Sequence, residues 1–485
     1  MNFNYRVILK FLGILLLMNG GFMLFCLPFS IYYGGNDMYA LLLASGSALL
    51  AGLVLFLLTR NGTNDDLRKK DGYLIVTLGW LFMSSFGCLP YIFSGAIPDL
   101  TDAFFETLSG FSTTGASILT DIESIDKGIL FWRSLTQWIG GMGIIVLTVA
   151  ILPLLGVGGM QLFVAEAPGI SPDKLAPRIK ETAKRLWIIY CTLTALELIL
   201  LWSGGMTFFD AFNHSLTTMA TGGFSTKNAS IAYYHDPFIQ YVIIVFMFLA
   251  GTNFTVTYLG LHGRLGKVFK NEEFKFYLIF CVAASIAIGL IIFRSGHDIF
   301  EKSIRDALFQ VVSLVTTTGF VTHDYTSWPP FVTIIFFLLM FAGGCTGSTA
   351  GGVKLARHLL LIKNSFQELK RILHPSAIIP VRFNGKAVNR DITFNVLAFI
   401  MIYILVMCFG AMAVSSFGID FNTSLGAVAA TLGNIGPGIG TVGPADNFAH
   451  LPTGVKWVLS FLMLVGRLEL FTVLILFTPY FWKRV

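Results

Sequence analysis

Four glycines, Gly115, Gly223, Gly319 and Gly433, each stand thirteen residues after an aspartate. They lie in DAFFETLSGFSTTGAS (102–117), DAFNHSLTTMATGGFS (210–225), DALFQVVSLVTTTGFV (306–321) and DFNTSLGAVAATLGNI (420–435), which align without gaps, each followed by a long apolar run. The residues just before the glycines are TT, TG, TT and TL. Glycine admits positive φ and close backbone approach, so neighbouring carbonyls can turn toward a common axis. Four such turns make a ring of oxygens that replaces a cation's hydration shell, the logic of a selectivity filter. The competing reading is four structural glycines that end short interfacial helices; a register repeated four times favours the ring.

A second chemical stretch is FAGGCTGSTAGGVK (341–354), with glycine at 343, 344, 347, 351 and 352. Glycine costs about 1 kcal/mol per helical residue relative to alanine, so the helix begun by FVTIIFFLLM should unwind here. Thr346, Ser348 and Thr349 can help satisfy the freed backbone. A flexible polar segment at that depth can block or clear a path; close helix packing by small residues is the alternative. WIGGMG (138–143), LAGTNF (249–254) and LVGRLE (464–469) put small residues at corresponding depths, and only the third repeat is expected to break. Arg467, inside VLSFLMLVGRLELFTVLILF, is costly in a membrane and usually faces a cavity or partner. It reads as a fixed charge beside the gate, or as half of a buried pair with Glu197. His214 reads as a packed or hydrated side chain, and Asn253 and Thr255 as cavity-lining or helix-bridging.

These residues need elements to position them. Asp102, Asp210, Asp306 and Asp420 are the expected N-caps of short helices. About ten residues at 1.5 Å each span roughly 15 Å, enough to enter a membrane without crossing it. Irregular backbone at that depth is tolerated only inside protein or beside a water-filled cavity, and the helices' negative ends favour a cation. The 485 residues are 55% hydrophobic and 12% charged, with mean hydropathy +0.74, the composition of a polytopic membrane protein. Spans are expected at roughly 9–33, 38–59, 73–97, 128–155, 184–203, 237–262, 274–294, 329–345, 391–416 and 455–481, with no cleaved leader. With the N-terminus in the cytoplasm, most of the 33 Lys and Arg fall inside, leaving an acidic outer face that enriches cations. The basic segments 158–185 (Lys174, Arg178, Lys180, Lys184, Arg185) and 354–390 (Lys354, Arg357, Lys363, Lys370, Arg371) suit anionic lipid or a docked regulator equally. They give no reason to invoke nucleic acid. The six cysteines have no zinc-site spacing and read as reduced, packed side chains.

TTGAS, TGGFS, TTTGF and TLGNIGPG, with AGGCTGSTAGG, resemble the Trk/Ktr/HKT superfamily of potassium transporters, and within it the bacterial TrkH type of membrane subunit, over about residues 70–485. The resemblance implies an all-α polytopic membrane protein with four non-identical span–pore-helix–span repeats around one pore, preceded by two extra transmembrane helices. The segments would be 1–70 (the extra pair), 71–165, 166–268, 269–375 with the broken inner helix, and 376–485. It implies a potassium filter of Thr113, Thr114, Gly115, Thr221, Gly222, Gly223, Thr317, Thr318, Gly319, Thr431, Leu432, Gly433 and Asn434, with potassium at the carbonyls. Serine at the first filter glycine goes with sodium permeation in relatives, so Gly115 favours potassium. Leu432 departs from the Thr-Gly pattern and makes the filter asymmetric. A gate of Gly343, Gly344, Cys345, Thr346, Gly347, Ser348, Thr349, Ala350, Gly351, Gly352 and Arg467 is implied. So are a homodimer in the bacterial inner membrane and a TrkA-type cytoplasmic ring that binds the nucleotide (ATP/ADP or NAD), this chain needing no cofactor. A secondary transporter coupling potassium to protons or sodium, through Glu197 or Glu469, is the rival reading. An enzyme is disfavoured, because the chain has no P-loop, HExxH or nucleotide fingerprint.

Overall fold

A computed structural model describes residues 3–60, 69–143, 179–296, 299–377 and 379–483. Six helical stretches in it are long and apolar enough to cross a membrane: Tyr5–Tyr33, Met38–Thr59, Lys70–Ser94, Lys184–Ser203, Glu272–Arg294 and Arg390–Ser415. The first two pack closely where Gly13 and Gly52 meet, a methyl on either falling within 3 Å of the other's carbonyl. Small residues permit that approach between membrane helices. Asp37, between this pair, accepts the Ile129 N–H (2.8 Å) at the start of a later helix and so ties the pair to the rest. Among the described residues, β structure is confined to a hairpin of Arg382–Phe383 with Lys386–Ala387 and an isolated bridge between Gly343 and Lys354.

From residue 69 on, one order of elements recurs four times: a long helix, a short helix, a loop, and a second helix. The short helices are Leu100–Phe111, Phe208–Met219, Phe300–Val315 and Phe421–Leu432. The second helices are Lys127–Gly141, Pro237–Ala250, Pro330–Leu339 and Thr453–Arg467. The short helices are almost wholly buried in their last two turns, so their C-terminal carbonyls must find partners inside the protein.

The four aspartates are not equivalent caps. Asp99 accepts the Asp102 N–H (3.0 Å) and Thr207 Oγ1 accepts that of Asp210 (3.1 Å), while the third helix starts at Ile299 without a side-chain cap bond. Asp420 accepts the Thr423 N–H (3.0 Å). Asp102 and Asp210 thus lie one turn's start inside their helices and Asp306 well inside its own. Aspartate is favoured both at the N-cap and through the first turn, so residue type alone does not separate the positions. Pairing Asp420 with Asp102 therefore shifts the fourth segment by one helical turn.

The second helices also correct an expectation. The break is general, not confined to the third segment. Pro237–Ala250 and Phe254–Leu261 meet at 113°, and Thr453–Arg467 and Phe471–Phe477 at 111°. Pro330–Leu339 gives way to a non-helical stretch before Leu355–Leu373, and Lys127–Gly141 ends with Gly143 at φ 69°. In the fourth, Glu469 and Leu470 take φ of 53° and 54°, a conformation that side chains rarely adopt. The expected single spans at 237–262, 329–345 and 455–481 are thus bent or interrupted. Of 128–155, the part from 144 on lies outside the described residues, as does 158–178 with Lys174 and Arg178.

Candidate functional site: a ring of four loops above a glycine-rich segment

Each short helix ends in the same turn. Thr113, Thr221, Thr317 and Asn434 take φ of 53°, 53°, 56° and 52°. The next N–H reaches back five residues: Thr114 to Ser109 O (2.9 Å), Gly222 to Thr217 O (2.9 Å), Thr318 to Ser313 O (2.8 Å) and Ile435 to Ala430 O (2.8 Å). This is a Schellman-type stop with a left-handed residue that is not glycine. One residue later come Gly115, Gly223, Gly319 and Gly436, at φ of 81°, 77°, 78° and 100°.

The fourth member of the set is therefore Gly436, not Gly433. Thr431 and Leu432 belong to the last turn of the short helix, and Gly433 caps it at φ −77°. Asn434, Ile435 and Gly436 stand where the first loop has Thr113, Thr114 and Gly115. The gap-free alignment failed because the fourth helix starts on its aspartate and the others start before theirs.

The four glycines close a ring. A methyl on Gly115 would run into Gly222 O, on Gly223 into Thr318 O, on Gly319 into Ile435 O, and on Gly436 into Thr114 O. Each glycine thus faces the carbonyl of the residue preceding the next glycine, and the fourth returns to the first. Gly115, Gly223, Gly319 and Gly436 also line one open cavity, with Arg133, Lys227 and Asp446 among its other walls. Nearby, a bond from Asn228 Nδ2 to Asp121 (3.3 Å) holds that exposed carboxyl below its ordinary value.

Side chains that the sequence reading passed over brace the ring from behind. Glu106, buried in the first short helix, pairs with Arg133 (2.7 Å) and accepts the Ser117 hydroxyl and Ile118 N–H (2.9 Å each). Arg133 donates to Ser225 O (2.9 Å) and covers the Phe224 ring (3.6 Å). Gln137 donates to Gly222 O (2.6 Å) and accepts the Phe224 N–H (3.0 Å). Asn434 Nδ2 donates to Thr114 Oγ1 and Met463 O (2.9 Å each). An acid and an arginine within apolar runs were the available signal for Glu106 and Arg133. His214 is buried and packed, its ring nitrogens on Asp210 O (2.7 Å) and Ser225 Oγ (2.9 Å).

Directly against the ring lies the segment 343–352. Its neck is closed by Gly343 N–H to Val353 O (2.8 Å) and Leu355 N–H to Gly343 O (3.1 Å). The Gly351 N–H donates to Thr317 Oγ1 (2.7 Å), the αL threonine of the third loop. A methyl on Gly351 would lie 2.9 Å from Gly433 O, so Gly433 abuts this segment rather than the ring. Thr349 Oγ1 donates to Met219 O (3.1 Å) and Ala250 O (3.2 Å), Cys345 N–H to Gly251 O (2.8 Å), and Thr346 N–H to Glu273 Oε1 (2.6 Å). Asn253 serves it twice, capping the next helix through Thr255 N–H (2.7 Å) and donating to Thr346 O (2.6 Å). Gly347 and Gly352 use positive φ of 75° and 61°.

Arg467 fastens this segment to the opposite side. Its guanidinium donates to Thr349 O (2.9 Å), Gly141 O (3.2 Å) and Gly140 O. Glu469 pairs with Arg357, whose guanidinium also covers Phe399 (3.9 Å). Lys354 is buried and donates to Ala350 O. Lys354 and Arg357, expected from sequence to face either anionic lipid or a docked regulator, are interior. Lys363 faces outward and pairs with Glu272 (2.5 Å). The cysteines, among the described residues, are free thiols.

A family model for TrkH, described as a cation transport protein, matches residues 45–297 and 298–484. The Trk system potassium uptake protein TrkH of Salmonella typhimurium is 42% identical over 486 residues, covering 99% of this chain and all of the relative. The protein of that name from Escherichia coli K12 gives the same identity and coverage. The crystal structure of the potassium transporter TrkH from Vibrio parahaemolyticus matches with TM-score 0.88 at 37% identity, covering 99% of this chain and 100% of that one.

Proposed function

The chain belongs to the TrkH family of cation transport proteins, and from that premise we propose that this multi-pass membrane protein takes up potassium through a channel-like pore. It is a transporter and not an enzyme. The single observation that carries the reading is the closed ring, in which each glycine meets the next loop's carbonyl. Thr114, Gly222, Thr318 and Ile435 supply carbonyls at that level and Thr113, Thr221, Thr317 and Asn434 shape the turns, with potassium as substrate. Field strength and number of such carbonyls set the preference among cations. The membrane potential drives entry by about 2.3 kcal/mol per charge per 100 mV.

The segment 343–352, pinned by Arg467, is the gate. It opens when its bonds to the third loop and to the Gly140–Gly141 carbonyls are exchanged for others. A TrkA-type cytoplasmic ring that binds ATP/ADP or NAD drives this through Leu355–Leu373, the helix continuous with the gate. The full assembly is a homodimer in the bacterial inner membrane with its N-terminus in the cytoplasm. The division into a leading pair (1–70) and repeats 71–165, 166–268, 269–375 and 376–485 belongs to the same proposal.

The test is passive flux into liposomes holding the purified chain alone, comparing potassium, rubidium and sodium under an imposed potential. Potassium and rubidium above sodium is the expected result. Glu197, fully buried beside Thr218, supports a second reading, coupled transport. Flux that needs an imposed proton or sodium gradient, and is lost in Glu197→Gln, establishes that one instead.

A further inference from the structure

The four ring carbonyls are not held alike. Three of the residues that bear them, Thr114, Thr318 and Ile435, carry side chains; the fourth is Gly222. Gly222 is not among the positive-φ glycines, so backbone freedom does not explain its missing side chain. The space does. A Cβ on Gly222 would collide with the Gln137 carboxamide. Gln137 is fully buried, reaches in from the neighbouring second helix, and straddles Gly223 by donating to Gly222 O (2.6 Å) and accepting the Phe224 N–H (3.0 Å). At the matching position, the first and third loops use a threonine whose hydroxyl pairs within its own loop, Thr114 with Ser112 (2.7 Å) and Thr318 with Thr316 (2.8 Å). Among the described residues, the Thr114, Thr318 and Ile435 carbonyls accept no hydrogen bond from the protein.

We propose that Gln137 is a positioning and specificity-determining residue of the ring, its carboxamide standing in for the side chain absent at 222 and taking one lone pair of one of the four carbonyls. The ring then offers a cation three free carbonyls and one shared with an amide N–H. That fourth carbonyl is held in orientation from both sides of Gly223 and cannot follow a smaller ion inward. This rests on reading the four loops as a filter.

The experiment measures the potassium-to-sodium flux ratio of the full purified chain in liposomes for Gln137→Ala, for Gln137→Met, which keeps bulk without the amide, and for the double variant Gln137→Ala with Gly222→Thr. Both single variants should lower the ratio roughly threefold to tenfold, the range that one or two ordinary hydrogen bonds support. The double variant, which rebuilds the second loop on the pattern of the first and third, should recover most of it. A single-variant ratio unchanged from wild type, or a double variant no better than Gln137→Ala, overturns the proposal. If Gln137→Ala does not fold, Gln137→Met alone decides by the same ratio. Gly115→Ser separates this inference from its premise. If that change leaves the ratio intact, the filter reading fails. If it alters the ratio while the Gln137 variants do not, only the role of Gln137 falls.

Discussion

The ring loops and the segment 343–352, proposed above as filter and gate, are both glycine-rich, both irregular and in direct contact, yet they are held in opposite ways. The ring is made four times over, each loop stopped by the same turn and locked by buried side chains such as Glu106, Arg133 and Gln137. The gate exists once. Its anchors are individual hydrogen bonds from Thr349, Gly351 and Cys345 to backbone or hydroxyl oxygens of other segments, and one from the Arg467 guanidinium to Thr349 O. A structure that must keep one size needs cooperative bracing, because a half-satisfied buried network is costly. A structure that must move needs bonds that can be exchanged singly, and glycines that tolerate both backbone states. Two neighbouring glycine clusters are thus held differently by what surrounds them.

The largest expected effect tests the ring's membership. Gly436→Ala should abolish selective flux, since the residue sits at φ 100° against Thr114 O. Gly433→Ala, at φ −77°, should leave the potassium-to-sodium ratio near wild type. The reverse outcome in ion-flux assays would restore the register read from the sequence. Next, breaking the brace by Glu106→Ala leaves Arg133 buried without its acid, which typically costs about 3–5 kcal/mol. Thermal unfolding in detergent should show a clear drop, and an unchanged midpoint would count against bracing. On the gate side, Arg467→Gln removes charge-assisted bonds worth roughly 1.5–3 kcal/mol and should raise basal flux about tenfold or more by that figure, with little change in selectivity. A loss of selectivity would mean that ring and gate are one mechanical unit. The smallest effect is expected at the outward pair, where Lys363→Ala should cost no more than about 1 kcal/mol, visible only as a slight shift in midpoint.

Much of this was legible in the chain because it depends on local rules. Threonine-glycine after an apolar helix marks a stop, and five glycines in 343–352 mark a break, whatever lies around them. The register of the fourth loop was not legible. TLGNIGPG offers Gly433, Gly436 and Gly438 within six residues, each able to end a helix. The breaks at 251–253 and 468–470 were hidden as well, since one or two glycines in LAGTNF and LVGRLE do not by themselves end a membrane helix, and the carbonyl partners of Asn253 and Arg467 lie far away in the chain.

From the sequence alone come the apolar, helical, membrane-spanning character of the chain and the loss of helix within 343–352, since backbone propensity and hydropathy act over a few residues. Only the tertiary structure decided which glycine of the fourth loop joins the ring, why residue 222 has no side chain, and which charges turn inward. Those outcomes depend on atoms far apart in the chain, Gly436 against Thr114 and Gln137 against Gly222, and close packing admits one residue where local propensity accepts several.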